Sequence, residues 1–278
     1  MSKTILGLLC LALAGCSMFH RAGSQPITTL ASEPRFHARD YKLVLAYYQL
    51  SAASDAMTFV IESDGRRWPS RHRPPTDPSP SNSLAIGLAI EESKWGSVAY
   101  IGRPCQYGQR HLRDECNPKL WTDDRYGETV ISEVNRVIDD LIAATKVKRI
   151  RLIGHSGGGT VAAIVAARRT DVDCVITIAA PLDTDKWSKV MGTTRLHGSY
   201  NPSDLYDRVS GIPQDHLAGS DDRIVPPDSI ATEAGKTGFQ LRILSGFNHF
   251  SPWLEHWDRI RQSTCLTHVA SSNETRRE

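Results

Sequence analysis

The stretch Arg149-Ile150-Arg151-Leu152-Ile153-Gly154-His155-Ser156-Gly157-Gly158-Gly159 decides the reading of this chain. Arg149 to Ile153 has the short apolar character of a buried strand, and Gly157 to Arg169 is rich in Ala and Val, as a helix packed closely on a sheet should be. Between them lies G-x-S-x-G, with no residues left over for a loop. A serine at such a junction occupies a sharp, strained turn, and its hydroxyl projects above the carboxyl edge of the sheet. The turn needs tiny residues two positions either side of the serine, and Gly154 and Gly158 supply them. The N–H of Gly157, at the helix N-terminus, then points to where negative charge would develop on a substrate. A glycine-rich turn that merely joins a strand to a helix is the plain alternative; strand, motif and helix in register favour the chemical one.

Working outward, short apolar runs alternate with helical patterns. Strand candidates are Lys42–Tyr48, Thr58–Ile61, Ser97–Ile101, Asp173–Ile178, His216–Ala218 and Gln240–Leu244. Helical stripes are carried by Leu84, Ile86, Leu88, Ala89 and Ile90, and by Val130, Val134, Val137, Ile138, Leu141 and Ile142. Strands alternating with helices predict an α/β fold: a mainly parallel twisted sheet with helices on both faces. Arg66 to Asn82, with five prolines and four arginines, reads as a long surface loop. Pro181 to Pro213 reads as a small lid or a plain excursion, so little or no cap domain is expected.

Composition sets outer limits. The 278 residues are 40% hydrophobic and 23% charged, which is ordinary globular usage. With 33 Lys+Arg against 31 Asp+Glu, the net charge of +2 gives no basic stripe, so no nucleic-acid partner is expected. No apolar run is long enough to span a bilayer.

The N-terminus reads as an address. Lys3 supplies a positive charge, Ile5 to Ala14 is a short apolar run, and Leu13-Ala14-Gly15-Cys16 follows. Residues 1–15 are therefore expected to be a signal peptide. The last four residues resemble a bacterial lipobox, which implies lipidation of Cys16; an ordinary signal cut nearby is the alternative. Ser17 after the cysteine resembles signals directing lipoproteins to the outer membrane, so the expected location is the bacterial cell envelope, lipid-anchored and facing the periplasm. Residues 16–40 read as a tether, 41–268 as the folded domain and 269–278 as a disordered tail. An oxidising compartment suits a Cys105–Cys116 bridge across a polar stretch, although two free thiols fit the same spacing. Cys174 reads as a core residue of its strand.

A serine nucleophile requires a base, and the base requires orientation. Gly219-Ser220-Asp221-Asp222-Arg223-Ile224-Val225-Pro226 and Gly246-Phe247-Asn248-His249 both follow strand candidates, on the sheet edge that carries Ser156. In its order Ser…Asp…His, the chain resembles the α/β-hydrolase fold enzymes over roughly Lys42 to His268. That resemblance implies Asp222 as the acid, with Asp221 the neighbour it could be confused with, and His249 as the base. His155, His216 and His256 are weaker competitors for the base. The resemblance also implies a second oxyanion donor after the strand Thr58–Ile61, where the usual His-Gly is replaced by Glu62-Ser63-Asp64-Gly65-Arg66; Gly65 or Arg66 is expected to supply it beside Gly157. Glu62 and Asp64 are expected to be structural.

The implied activity is serine-dependent hydrolysis of carboxylic esters, with a small-molecule or lipid ester as substrate. A peptidase and a non-catalytic binding lipoprotein stay open as alternatives. No H-E-x-x-H, P-loop lysine motif or dinucleotide fingerprint occurs, so neither metal nor cofactor is expected. Gly102 to Tyr107, the Trp121 region, Trp187 and Tyr200 are expected to rim the site.

Overall fold

The structure is a computed structural model and describes residues 27–33, 35–40, 44–51, 55–66, 73–107, 116–230 and 241–267. The signal peptide, Cys16 and the tail from 269 lie outside these residues, as does part of the loop from Arg66 to Asn82.

Eight strands form one sheet: β1 (His37–Asp40), β2 (Leu45–Gln49), β3 (Ala56–Ile61), β4 (Ser97–Ile101), β5 (Arg149–His155), β6 (Val172–Ile178), β7 (Gln214–Gly219) and β8 (Leu241–Leu244). Their spatial order is β1-β2-β4-β3-β5-β6-β7-β8. β1 and β2 run antiparallel to their neighbours, and the six strands from β4 to β8 pair in parallel. The helices are α1 (Ile27–Ser32), α2 (Leu84–Glu92), α3 (Glu128–Thr145), α4 (Gly157–Ala166), α5 (Thr184–Val190), α6 (Tyr206–Val209), α7 (Pro227–Ile230) and α8 (Trp257–Gln262).

Strand periodicity sorts the core into two layers. Phe59 and Ile61 of β3 and Leu152 of β5 pack with α3 and α4 on one face, through Val134, Ile138, Leu141 and Ile164. Val60 and Ile153, one position on, point to the opposite face and meet α2, Trp253 and Trp257. Adjacent residues of one strand thus serve opposite layers, which explains why the parallel strands read as continuous apolar runs rather than alternating ones.

Two expectations need correction. Residues 16–40 are not a tether throughout, because α1 and β1 lie within them: Leu30 is fully buried against α2, and β1 pairs antiparallel with β2. β1 reads His-Ala-Arg-Asp and is an edge strand, so it lacks the apolar signature that marks the central strands. Cys174 is not a plain core residue; it is bridged to Cys265 with a Cα–Cα distance of 5.7 Å, tying β6 to the segment after α8. The 91-residue separation of those two cysteines leaves no local trace in the sequence. The Cys105–Cys116 bridge is present, with a Cα–Cα distance of 5.8 Å. Pro181 to Pro213 contains α5, a short 3-10 turn (Pro202–Leu205) and α6 among the described residues, and it forms no separate layer. No described helix is long and apolar enough to cross a membrane.

Candidate active site

Ser156 sits between β5 and α4 with φ 54° and ψ −129°, a conformation that costs a non-glycine residue energy. Its N–H donates to the Ile178 carbonyl at 2.8 Å, which fastens the turn to β6. The flanking glycines are sterically obligatory. A Cβ on Gly154 would lie 2.2 Å from the Gly158 carbonyl oxygen, and one on Gly158 would lie 2.2 Å from the Ile61 oxygen. The strand thus turns directly into the helix, leaving the Ser156 side chain partly exposed in a cavity of about 250 Å³.

Asp222 follows β7 and His249 follows β8, and the sheet brings them together. The Nδ1 of His249 lies 2.7 Å from Oδ2 of Asp222, while Oδ1 accepts the N–H groups of Ile224 and Val225 at 2.8 Å each. Both residues are buried. Asp221 turns away: it is exposed and its carboxylate accepts from Ser220 Oγ at 2.7 Å, so among the described residues Asp222 is the one of the two that pairs with His249. With Nδ1 committed to Asp222, Nε2 is the ring nitrogen of His249 left for the cavity, which His249 lines together with Ser156.

The other histidines do different work. His155 is buried below the turn, 4.7 Å from the His249 ring between centroids, and its Nε2 lies 2.8 Å from the His249 carbonyl oxygen. A carbonyl only accepts, so Nε2 carries the proton. Burial, with the nearby His249 adding to it, pushes the pKa of His155 down to about 3, and the ring stays neutral. His216 is buried on β7 against Thr177 Oγ1 at 2.8 Å, and burial likewise lowers it to about 3. His256 precedes α8, and its ring lies tilted against Phe247 with 5.5 Å between centroids.

The opposite wall of the cavity comes from the segment after β3. Glu62 is wholly buried and gathers donors: the Ser63 N–H at 2.6 Å, Tyr100 OH at 2.8 Å, Tyr107 OH at 2.9 Å and the hydroxyl of Ser83. Ser83 also caps α2, accepting the Ile86 N–H at 3.0 Å, so one carboxylate joins the end of β3, the start of α2 and the loop after β4. Burial first, and the Glu62 charge second, raise the pKa of Tyr100 and Tyr107, which keeps both as neutral donors.

Asp64 extends over the elbow. A Cβ on Gly157 would stand 1.9 Å from its Oδ1, so this carboxylate packs directly on the residue following the serine. Arg103 Nη1 holds Oδ1 at 3.1 Å; Tyr126 OH and Arg125 Nη1 hold Oδ2 at 2.6 and 3.4 Å. Glu62 and Asp64, expected from the sequence to be structural, are both held by hydrogen bonds from other segments, and Asp64 also lines the cavity. What the sequence did not reveal is the set of partners, drawn from four separate segments. One expected oxyanion donor is ruled out: the Arg66 N–H donates to the Pro78 carbonyl at 3.2 Å and is already engaged. Gly65 lines the cavity, and neither its N–H nor that of Gly157 makes a hydrogen bond among the described residues.

Of the expected rim, Trp121 and Trp187 line the cavity. Tyr200 does not; it stacks under Arg168 and donates to Glu128 at 2.6 Å. Arg103 lies buried behind Asp64, and Gln106 braces the loop by donating to the Ser63 carbonyl at 2.9 Å. Among the described residues, no group of His, Cys, Asp and Glu is arranged to hold a metal ion.

Comparison with known proteins bears on the fold that carries this arrangement. A family model described as the alpha/beta hydrolase fold matches residues 98–211. No curated protein matches the chain. Among solved structures, puromycin hydrolase superposes with a TM-score of 0.56 at 17% identity over 78% of this chain. The chain spans only 36% of that protein's length. Est1E from Butyrivibrio proteoclasticus gives a TM-score of 0.55 at 15% identity, covering 84% of this chain and 99% of Est1E. A structure from a study of carboxylesterases of the thaumarchaeon Nitrososphaera gargenis gives 0.51 at 15% identity, covering 86% and 99%.

Proposed function

We propose that this chain, which has the α/β-hydrolase fold, is a serine hydrolase that cleaves carboxylic esters through an acyl-enzyme. One observation carries the reading. A serine on a strained strand-to-helix turn shares its cavity with a histidine whose Nδ1 is held 2.7 Å from a buried carboxylate. In this reading His249 Nε2 takes the proton of Ser156 as the hydroxyl oxygen attacks the acyl carbon. Asp222 fixes the tautomer and stabilises the imidazolium that forms. The Gly157 N–H, with Gly65 as partner donor, receives the oxyanion of the tetrahedral intermediate. The alcohol leaves with the proton from His249. Water, deprotonated by the same imidazole, then releases the acid and restores the serine.

The envelope setting is part of the proposal. A lipid on Cys16 would hold the enzyme at the outer membrane, since two or three acyl chains at about 0.8 kcal/mol per buried CH₂ anchor firmly. Two disulfides suit an oxidising compartment. A fluorophosphonate probe should label the purified protein and should fail to label Ser156→Ala, whose ester turnover should fall by about ten-thousandfold or more. A folded wild type that resists the probe would favour a binding lipoprotein. Turnover of chromogenic peptides without turnover of esters would favour a peptidase.

A further inference from the structure

The cavity around Ser156 carries an uneven charge. Among its described lining residues the one carboxyl group is that of Asp64, and its two oxygens are occupied by Arg103, Arg125 and Tyr126. Against it stand Arg125 and Arg66 on the same wall. Arg66 is anchored at two points on one neighbouring segment: its N–H to the Pro78 carbonyl at 3.2 Å and its Nε to the Ser79 carbonyl at 3.1 Å. Both terminal nitrogens of its guanidinium remain without a hydrogen-bond partner among the described residues, in an exposed side chain at the cavity. An arginine held by its backbone and its Nε has little freedom left to lose, so its terminal N–H groups are presented in advance to whatever enters. The remaining walls include the apolar side chains of Trp121, Trp187 and Phe250.

We propose that the preferred substrate is an ester carrying a carboxylate a few bonds from the scissile carbonyl, received by Arg66 at the cavity. The inference rests on the serine-hydrolase reading and adds the class of substrate to it. A single available guanidinium matches a single negative charge, and its planar fork suits a carboxylate. The cavity of about 250 Å³ has room for a compact ester.

Two matched pairs of esters test the proposal. In the first, 4-butyryloxybenzoate is compared with its methyl ester, placing the carboxylate on the leaving group; butyrate release is measured. In the second, the phenyl half-ester of adipic acid is compared with phenyl methyl adipate, placing it on the acyl side; phenol release is measured. In at least one pair, kcat/KM should favour the anion by about tenfold, and the favoured arm identifies the side of the scissile bond that faces Arg66. Arg66→Gln should raise KM for that anion about tenfold with kcat within twofold, leave its neutral partner within twofold, and melt with the wild type. Arg66→Lys should recover part of the preference, and added salt should erode it. Equal use of anion and neutral ester in both pairs, or an equal loss on both with Arg66→Gln, would overturn the proposal while fluorophosphonate labelling of Ser156 left the serine-hydrolase reading standing. Absence of labelling would remove both.

Discussion

The two walls of the cavity are built by different means. On the elbow wall, position is set by backbone: a serine in a strained turn, glycines whose Cβ atoms would strike carbonyl oxygens, and a carboxylate fixed by two loop N–H groups. On the facing wall, position is set by side chains. Glu62 and Asp64 are buried or half-buried carboxylates, each surrounded by donors from distant segments. A wall specified by backbone tolerates few sequences and announces itself in a short motif. A wall specified by a polar network allows many sequences, and its stability depends on every partner being present.

That contrast predicts unequal sensitivity to conservative changes. Asp222→Asn should lower kcat by about a thousand- to ten-thousandfold, because the amide favours the wrong tautomer of His249. Asp221→Asn, one position away, should stay within about twofold, since the Asp221 carboxylate is exposed and accepts from Ser220 Oγ rather than from His249. Steady-state kinetics on one ester measures both. Comparable losses from the two changes would mean that the elbow wall is not organised around Asp222.

The same contrast explains what was legible in the sequence. Ser156 follows β5 directly, Asp222 and His249 lie on the short loops after β7 and β8, and the sheet's parallel order brings these strand ends to one edge, so local patterns suffice to locate them. The pairing of Asp64 with Arg103, Arg125 and Tyr126 was not legible. Those residues lie 39 to 62 positions from Asp64, on loops whose paths no periodicity encodes. The strand β1 escaped notice for a related reason: an edge strand buries little, so its sequence carries no apolar signal. The resemblance implies Gly65 or Arg66 as an oxyanion donor because the segment after β3 supplies one in that family. The competing fact, a carbonyl of Pro78 close enough to take its N–H, belongs to a proline-rich loop whose course the sequence leaves open.

The disulfides sharpen the comparison, since one belongs to the network wall and the other does not. Cys105–Cys116 closes the loop that presents Arg103, Gln106 and Tyr107 to the segment after β3. Replacing both cysteines with serine should cost about 3 kcal/mol of stability in the chain-entropy model. It should also lower kcat about tenfold in molecules that remain folded, because Asp64 and Ser63 lose their braces. Cys174–Cys265 ties β6 to the chain after α8 and spans 91 residues, so its loss should cost more stability, between about 4 and 5 kcal/mol. It should leave the kcat of the folded fraction nearly unchanged. Urea unfolding paired with active-site titration separates the two effects. An unchanged kcat in the Cys105→Ser/Cys116→Ser variant would show that the network holds its wall without the bridge.

The smallest effect concerns protonation of the elbow wall. His155 is neutral because it is buried, with its pKa lowered to about 3 from the ordinary 6.5. The unfolded chain binds a proton at this ring below about pH 6.5, whereas the folded protein does not until about pH 3. Unfolding therefore gains one proton in that window, and the folded state loses stability as pH falls, by up to about 1.4 kcal/mol per pH unit from this residue. His216, lowered to the same extent, contributes the same sign independently. His155→Gln offers an amide N–H for the His249 carbonyl without a titrating ring. Between pH 5.5 and 4 its unfolding free energy should decline less steeply than that of the wild type, by about 1.4 kcal/mol per unit. Parallel slopes from urea unfolding would show that His155 titrates normally, and that the wall beneath His249 is open to water rather than dry.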